Sequence, residues 1–169
     1  MDRRTFLKVL GGTGATLVGV VGMRIGGFWW DQTPATKMKF LSGHEVLIVQ
    51  AIGEAFFPGD LGMPAGNQVG LPDFVDQYLA GISATTANLL RLLLHAIDDM
   101  AIFSDMGVTR FHLRPLEERI EILSAWDTSW LGPRRGAFTS IKLIFGMGYC
   151  EHPAVIQAAG LDYNCTGAS

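Results

Sequence analysis

The sequence predicts an all-α fold: a compact bundle of about five to six helices behind an N-terminal export signal or anchor. Three observations carry that expectation. From residue 42 onward, apolar residues recur at three- and four-residue spacings in one segment after another. Each segment is bounded by a start or stop signal, as at Ser42-x-x-Glu45, Pro58-Gly59, Pro72, Gly81 and Gly132-Pro133. Ahead of them stands a basic start, Arg3-Arg4 with Lys8, followed by 15 apolar, glycine-rich residues from Val9 to Met23.

The N-terminal run Asp2-Arg3-Arg4-Thr5-Phe6-Leu7-Lys8 resembles a twin-arginine (Tat) signal through Arg3, Arg4, Phe6, Leu7 and Lys8. An ordinary export signal requires positive charge but not an Arg-Arg pair; the bland alternative is a chance basic N-terminus. The resemblance implies passage through the Tat translocase to the periplasm, with the passenger folded beforehand. Two fates of the segment stay open. Ile25 to Trp30 extend it, Phe28, Trp29 and Trp30 suit a membrane interface, and an Ala-x-Ala box is absent, which favours an uncleaved anchor over residues 9–30 in the inner membrane. Against anchoring, the apolar run is shorter than the about 20 residues of a spanning helix. A central Arg24 would also cost about 2.5–3.5 kcal/mol. Gln32 to Thr36 reads as a linker. The organisation is therefore 1–36, signal or anchor with linker, and 37–169, a helical domain of 133 residues (169 − 36), able to bury about two-thirds of its surface.

The first helix of the domain opens at the Ser42–Glu45 capping box and runs to about Phe57, with Ile48, Ile52, Ala55 and Phe56 on one face. A loop with four glycines and Pro64 follows from Gly59 to Gly70, a surface connection or a segment packed on a partner. A second helix spans Asp73 to about Ala80, introduced by Pro72, with Phe74 and Tyr78 at i, i+4. The third, from about Thr86 to Phe103 and capped by Ser83 or Thr85, is the most apolar segment of the domain. It therefore reads as a central, surrounded helix. The fourth runs from about Leu116 to Trp130 with Leu116, Ile120, Leu123 and Trp130 as its apolar face, widened by Ile122 and Trp126. Gly132-Pro133 then breaks the chain. A fifth, from about Arg134 to Gly148, carries Ala137 or Phe138, Ile141, Ile144 and Phe145, and a short helix follows Pro153.

Candidate chemistry is sparse. On the third helix Asn88, Arg91, His95, Asp98 and Asp99 form one polar stripe, in which Arg91, His95 and Asp99 can ladder at i, i+4, i+8. The stripe reads as solvated or partner-facing; an acid–base site at His95, Asp98 and Asp99 is the alternative. Arg134 and Arg135 stand at a helix N-terminus, unfavourable for the macrodipole by about 0.3–1 kcal/mol each if exposed. Asp127, the carboxylates of the fourth helix or an acidic patch on a partner would compensate them. Arg91, Asp98, Asp99, Arg134 and Arg135 are thus the candidate partner contacts. The four histidines, His44, His95, His112 and His152, are too far apart in sequence for a local ligand pair, and no His-Glu-x-x-His occurs. No catalytic, cofactor or metal residue is expected. Cys150 and Cys165 are the only cysteines. In an oxidising compartment they can form a disulfide, worth ~3 kcal/mol, and two free thiols are the alternative. There is no Gly-x-Gly-x-x-Gly, Walker or Gly-x-Ser-x-Gly motif and no haem attachment site.

Composition adds one positive statement and one exclusion. The chain is 49% hydrophobic and only 17% charged, where about a quarter charged is usual. A small domain with so few charges to cover it calls for a permanent partner. A net charge of −3 and the lack of a basic patch argue against nucleic acid.

Four stretches, in order, resemble one family: Phe57-Pro58-Gly59-Asp60 with Pro64-Ala65-Gly66; Val69-Gly70-Leu71-Pro72-Asp73-Phe74-Val75-Asp76; Arg119-Ile120-Glu121-Ile122-Leu123-Ser124-Ala125-Trp126; and Arg134-Arg135-Gly136-Ala137-Phe138. With Gly148-Tyr149 and the Pro153 tail, about Phe40 to Asp162 resembles the gluconate 2-dehydrogenase subunit 3 family. The resemblance implies a small, non-catalytic subunit of a membrane-associated sugar or polyol dehydrogenase. A glucose-methanol-choline (GMC) type flavoprotein would be its catalytic partner and would hold FAD, and a cytochrome c subunit often accepts the electrons. The partner typically lacks its own signal, so the small subunit carries it out as a folded pair. A membrane-anchored scaffold unrelated to redox and a stand-alone enzyme are the alternatives.

Overall fold

The computed structural model describes residues 33–101 and 109–161, and of Met100 and Pro133 the backbone alone. Among them are six α-helices: α1 (Gly43–Phe56), α2 (Leu71–Gly81), α3 (Ala84–Met100), α4 (Leu116–Asp127), α5 (Gly132–Glu151) and α6 (Pro153–Ala158). Short 3-10 turns occupy Gly66–Gln68 and Phe111–Leu113. No strand occurs among the described residues, only an isolated bridge between Pro34 and Ser42. The all-α expectation holds.

The helix ends follow local chemistry. Ser42 Oγ accepts the Glu45 N–H at 3.3 Å and the Glu45 carboxylate accepts the Ser42 N–H at 2.8 Å, which is the capping box read from the sequence. Ser83, rather than Thr85, caps α3 through the Thr86 N–H. Helix α5 begins at Gly132 with Pro133 in its first turn. The Gly-Pro pair thus starts a helix instead of breaking the chain, because proline's missing N–H is no loss in a first turn.

Helix α1 is the one the others surround. Helices α2, α3 and α4 and both 3-10 turns pack on it. Glu45, Ile48, Val49, Ala51, Ile52, Gly53 and Ala55 are buried over a broad arc of it, with Leu47 and Gln50 on the open side. This corrects the expectation for α3, in which Leu89 is 59% and Leu92 37% exposed while Leu94, His95, Ile97 and Asp98 are buried. Helix α3 is covered on one side, and much of its polar stripe faces in, where partners on α1 and the Phe111–Leu113 turn receive it.

Helix α4 is also rotated from its expected face. Arg119, Ile122, Leu123 and Trp126 are buried, whereas Ile120 is half-exposed and Trp130, beyond the helix end, is 86% exposed. The residue that turns the face is Arg119. Its Nη1 donates to the Ala51 carbonyl at 2.9 Å and its Nη2 to Glu54 Oε2 at 2.6 Å, so a buried guanidinium docks α4 onto α1.

The glycine-rich loop folds back on its own domain. Gly66 N–H donates to the Phe57 carbonyl, and Tyr149 Oη to the Pro64 carbonyl at 2.7 Å. A Cβ at Gly66 would run into the Gly53 carbonyl of α1, so the two backbones meet where only glycine fits. Beside this contact Phe57 stacks on Tyr149 with ring centroids 3.8 Å apart, and Phe56 packs edge-on against Phe138 and Phe145. At the start of the domain, the Asp76 carboxylate on α2 accepts the N–H groups of Lys39, Phe40 and Leu41 at 2.8, 2.8 and 2.9 Å. Pro34 and Ala35, expected in a linker, are tied in as well: the Ala35 N–H donates to the Leu41 carbonyl at 2.8 Å.

Among the described residues no helix is long and apolar enough to cross a membrane. The twin-arginine residues Arg3, Arg4, Phe6, Leu7 and Lys8 and the candidate anchor 9–30 lie outside the described residues, as do Phe103 and Cys165.

Candidate functional site

Most of the polar residues of interest converge where the first turns of α1 meet the last turns of α3. Glu45 is the hub. Arg91 Nε donates to its Oε1 at 2.7 Å and Nη2 to Oε2 at 3.1 Å, a two-pronged pair, and His95 Nε2 lies 3.1 Å from Oε1. Burial alone would raise the Glu45 pKa. Hydrogen bonds from His95, Arg91 and the Ser42 backbone outweigh it and hold the carboxyl down to about 2. Arg91 and His95 therefore do not ladder along α3 with Asp99; both reach across to α1. A single carboxylate at position 45 draws them.

One turn further along α3 lies a second cluster, around Asp98, which is 0% exposed. The His112 backbone N–H donates to its Oδ1 at 3.0 Å, and His112 Nδ1 lies 2.7 Å from the same oxygen. His44, on α1, places Nε2 3.2 Å from the other oxygen, Oδ2. The ring is not aligned to donate to it, and Oδ2 has no hydrogen-bond partner among the described residues. The His44 and His112 rings meet edge-on at 4.8 Å, and His44 stacks against His95 at 5.7 Å. Burial pushes the His44 pKa down; Asp98 opposes this, and His112, Arg110 and His95 add to it. Asp99, at the rim, faces Arg110 at 3.7 Å; burial raises its pKa against the pull of Arg110.

These facts correct two expectations. The α3 stripe is not a solvated one at Asp98, and Asp98, enclosed by its own chain, offers no contact to a partner. Arg91 is engaged within the chain, while Asp99 keeps a partly open side. The histidines distant in sequence are not distant in space: His44, His95 and His112 come together because α1, α3 and the Phe111–Leu113 turn pack on one another. Glu45 is the residue that sequence reasoning passed over, since the capping box alone accounted for it.

At the start of α5, Arg134 is met within the chain by a ring and not by the carboxylates expected for it. Arg134 lays its guanidinium over the Trp126 ring, 4.8 Å from the centroid, and among the described residues no ion pair with Asp127 or the α4 carboxylates reaches it. Arg135 is exposed. Farther along α5 the exposed side carries Leu143 and Met147, at 63% and 48% exposure, one turn apart. Cys150 is exposed on the same helix.

Chemically the Asp98 cluster is a carboxylate with imidazoles, suited to hold a proton or a cation, and the Glu45 cluster is an internal ion pair. The remaining feature is a small helical domain with large apolar side chains left on its outer faces, which is the form of a subunit. The chain belongs to the gluconate 2-dehydrogenase subunit 3 family, whose model matches residues 43–168, as the four sequence stretches implied. No curated protein and no solved structure matches the chain.

Proposed function

We propose that this chain is the small, non-catalytic subunit of a periplasmic, membrane-associated FAD-dependent dehydrogenase acting on a sugar, polyol or other alcohol. It escorts a GMC-type flavoprotein through the Tat translocase and keeps it folded; a cytochrome c subunit would take the electrons. The family match over residues 43–168 carries this reading. Two further features support it. The twin-arginine run offers an export route for a folded pair. Leu89, Leu92, Leu143, Met147 and Trp130 leave apolar surface that a partner subunit would cover. FAD belongs to the partner in this reading, since the sequence has no glycine-rich dinucleotide loop.

The experiment is co-purification from the native host, with a histidine-free tag after Ser169, and an absorption spectrum of the product. A stoichiometric larger chain with a flavin spectrum, lost from the periplasm when Arg3 and Arg4 are both changed to Lys, is the expected result. A lone, colourless protein from both periplasm and membranes would overturn the reading.

A further inference from the structure

We propose that His44, Asp98 and His112 form a binding site for one divalent transition-metal ion of the zinc type, tying α1, α3 and the Phe111–Leu113 turn together. Each of the three side chains offers one ligand atom, and these atoms lie within 4.8 Å of one another. Bonds of about 2.0–2.2 Å in a tetrahedral centre set ligand atoms roughly 3.3–3.5 Å apart. His44 Nε2 and Asp98 Oδ2, at 3.2 Å, already stand near that separation. Two imidazoles with one carboxylate are a donor set that suits zinc, iron(II), cobalt(II) or nickel(II) rather than calcium or magnesium.

Asp98 Oδ2 supplies the independent observation. It is a buried carboxylate oxygen without a hydrogen-bond partner among the described residues, in a side chain that is 0% exposed. Such a group is costly unless a positive charge meets it. The nitrogen facing it is not supplying a proton. Arg110 Nη1 stands 3.2 Å from His44 Nε2, and a guanidinium only donates, so Nε2 presents its lone pair. His44 Nε2 thus spends its lone pair on Arg110 and gives no hydrogen to Asp98 Oδ2, 3.2 Å away; a cation that displaces Arg110 would meet both atoms. The surroundings fit a ligand shell. The His112 backbone N–H holds Oδ1 at 3.0 Å and so fixes the carboxylate plane. His44 is the half-buried member and leaves the fourth position to water or to a partner's side chain.

Arg110 opposes the ion, because its charge stands where the metal would draw on His44. Its side chain is 44% exposed, and Asp99 Oδ1 lies 3.7 Å from its Nε, ready to take it when it withdraws. Arg110 therefore weakens the site, and removing it should tighten binding.

The proposal does not depend on the dehydrogenase-subunit reading, and its test needs no partner. The full-length chain, purified with a histidine-free tag and stripped with chelator, is titrated with cobalt(II), and zinc is then measured by competition. One equivalent of cobalt with the visible bands of a four-coordinate centre is expected. His44→Ala and Asp98→Asn should each weaken binding by about tenfold or more, Arg110→Gln should strengthen it, and His152→Gln should leave it unchanged. If Asp98→Asn fails to fold, His44→Ala and Arg110→Gln, both at less buried positions, still decide the matter. Absence of cobalt bands at stoichiometric metal, or binding that His44→Ala leaves intact, overturns the proposal.

Discussion

The sharpest energetic statement concerns Glu45. Changing it to Gln keeps the shape and the cap, since the amide oxygen can still accept the Ser42 N–H. What is lost is the charge that Arg91 and His95 share. The carboxyl is held down to about 2 from 4.5, a difference worth about 3 kcal/mol of stability at neutral pH. Removing one member of a buried pair costs a similar 3–5 kcal/mol or so, and Arg91, with 14% of its side chain exposed, can recover part of that from water. About 3 kcal/mol is therefore expected at pH 7. The sign with pH follows from the lowered pKa. The contribution is fully present above the unfolded value of 4.5 and is lost as pH falls toward about 2. The gap between the parent chain and Glu45→Gln should fall to about half by pH 3 and nearly close at pH 2. Urea unfolding of both proteins, followed by far-ultraviolet circular dichroism at pH 7, 5 and 3, measures it. A gap under about 1 kcal/mol at pH 7, or one that does not change with pH, would refute the reasoning.

Three other outcomes are expected. Gly66→Ala should destabilise by about 3 kcal/mol or more, because the new methyl meets backbone that cannot rotate away; an unchanged melting temperature would contradict the packing of the loop on α1. Asp76→Asn should cost about 1–3 kcal/mol, since its NH₂ would face an N–H of Lys39, Phe40 or Leu41. Burial raises the Asp76 pKa but the three N–H groups bring it below its ordinary value, so this cost too should shrink in acid, which urea midpoints at two pH values would show. Leu143→Glu with Met147→Glu should leave the melting temperature within a few degrees while reducing the flavoprotein recovered with the chain; retention of the full amount would remove this side of α5 from the interface.

Helix ends and apolar stripes were legible because they depend on neighbours in the chain. Ser42 and Glu45, Ser83, and the Phe138–Ile141–Phe145 stripe of α5 came out as read. The family was legible for a related reason: Pro64-Ala65-Gly66 records a backbone contact with Gly53 that no other residue type permits. Failures came where a polar residue finds its partner across the fold. Arg119 turned α4 because its acceptors, Ala51 and Glu54, lie on α1. His44 and His112 joined Asp98 from 54 and 14 residues away (98 − 44 and 112 − 98), separations that no local spacing rule registers. Periodicity reports which residues share a side of a helix, but not whether that side faces water or a complementary charge.

The same inversion bears on why this domain wants a partner. Only 17% of the chain is charged, and several of those charges are turned inward: Glu45 with Arg91, Arg119 with Glu54, Arg114 against the Ala101 carbonyl, and Asp98 among its histidines. Each joins two helices or a helix and a turn, and each is withdrawn from the surface. Helix α3 shows the consequence directly. With His95 and Asp98 facing α1 and the Phe111–Leu113 turn, Leu89 and Leu92 are left facing outward, and on α5 Leu143 and Met147 share that exposure. Converting Asp98 and its ties to apolar residues would keep a core but would not cover those leucines. A surface apolar by this route is a fixed property of how the interior is held, so it should persist in every variant that folds, and a second chain is the natural means of covering it.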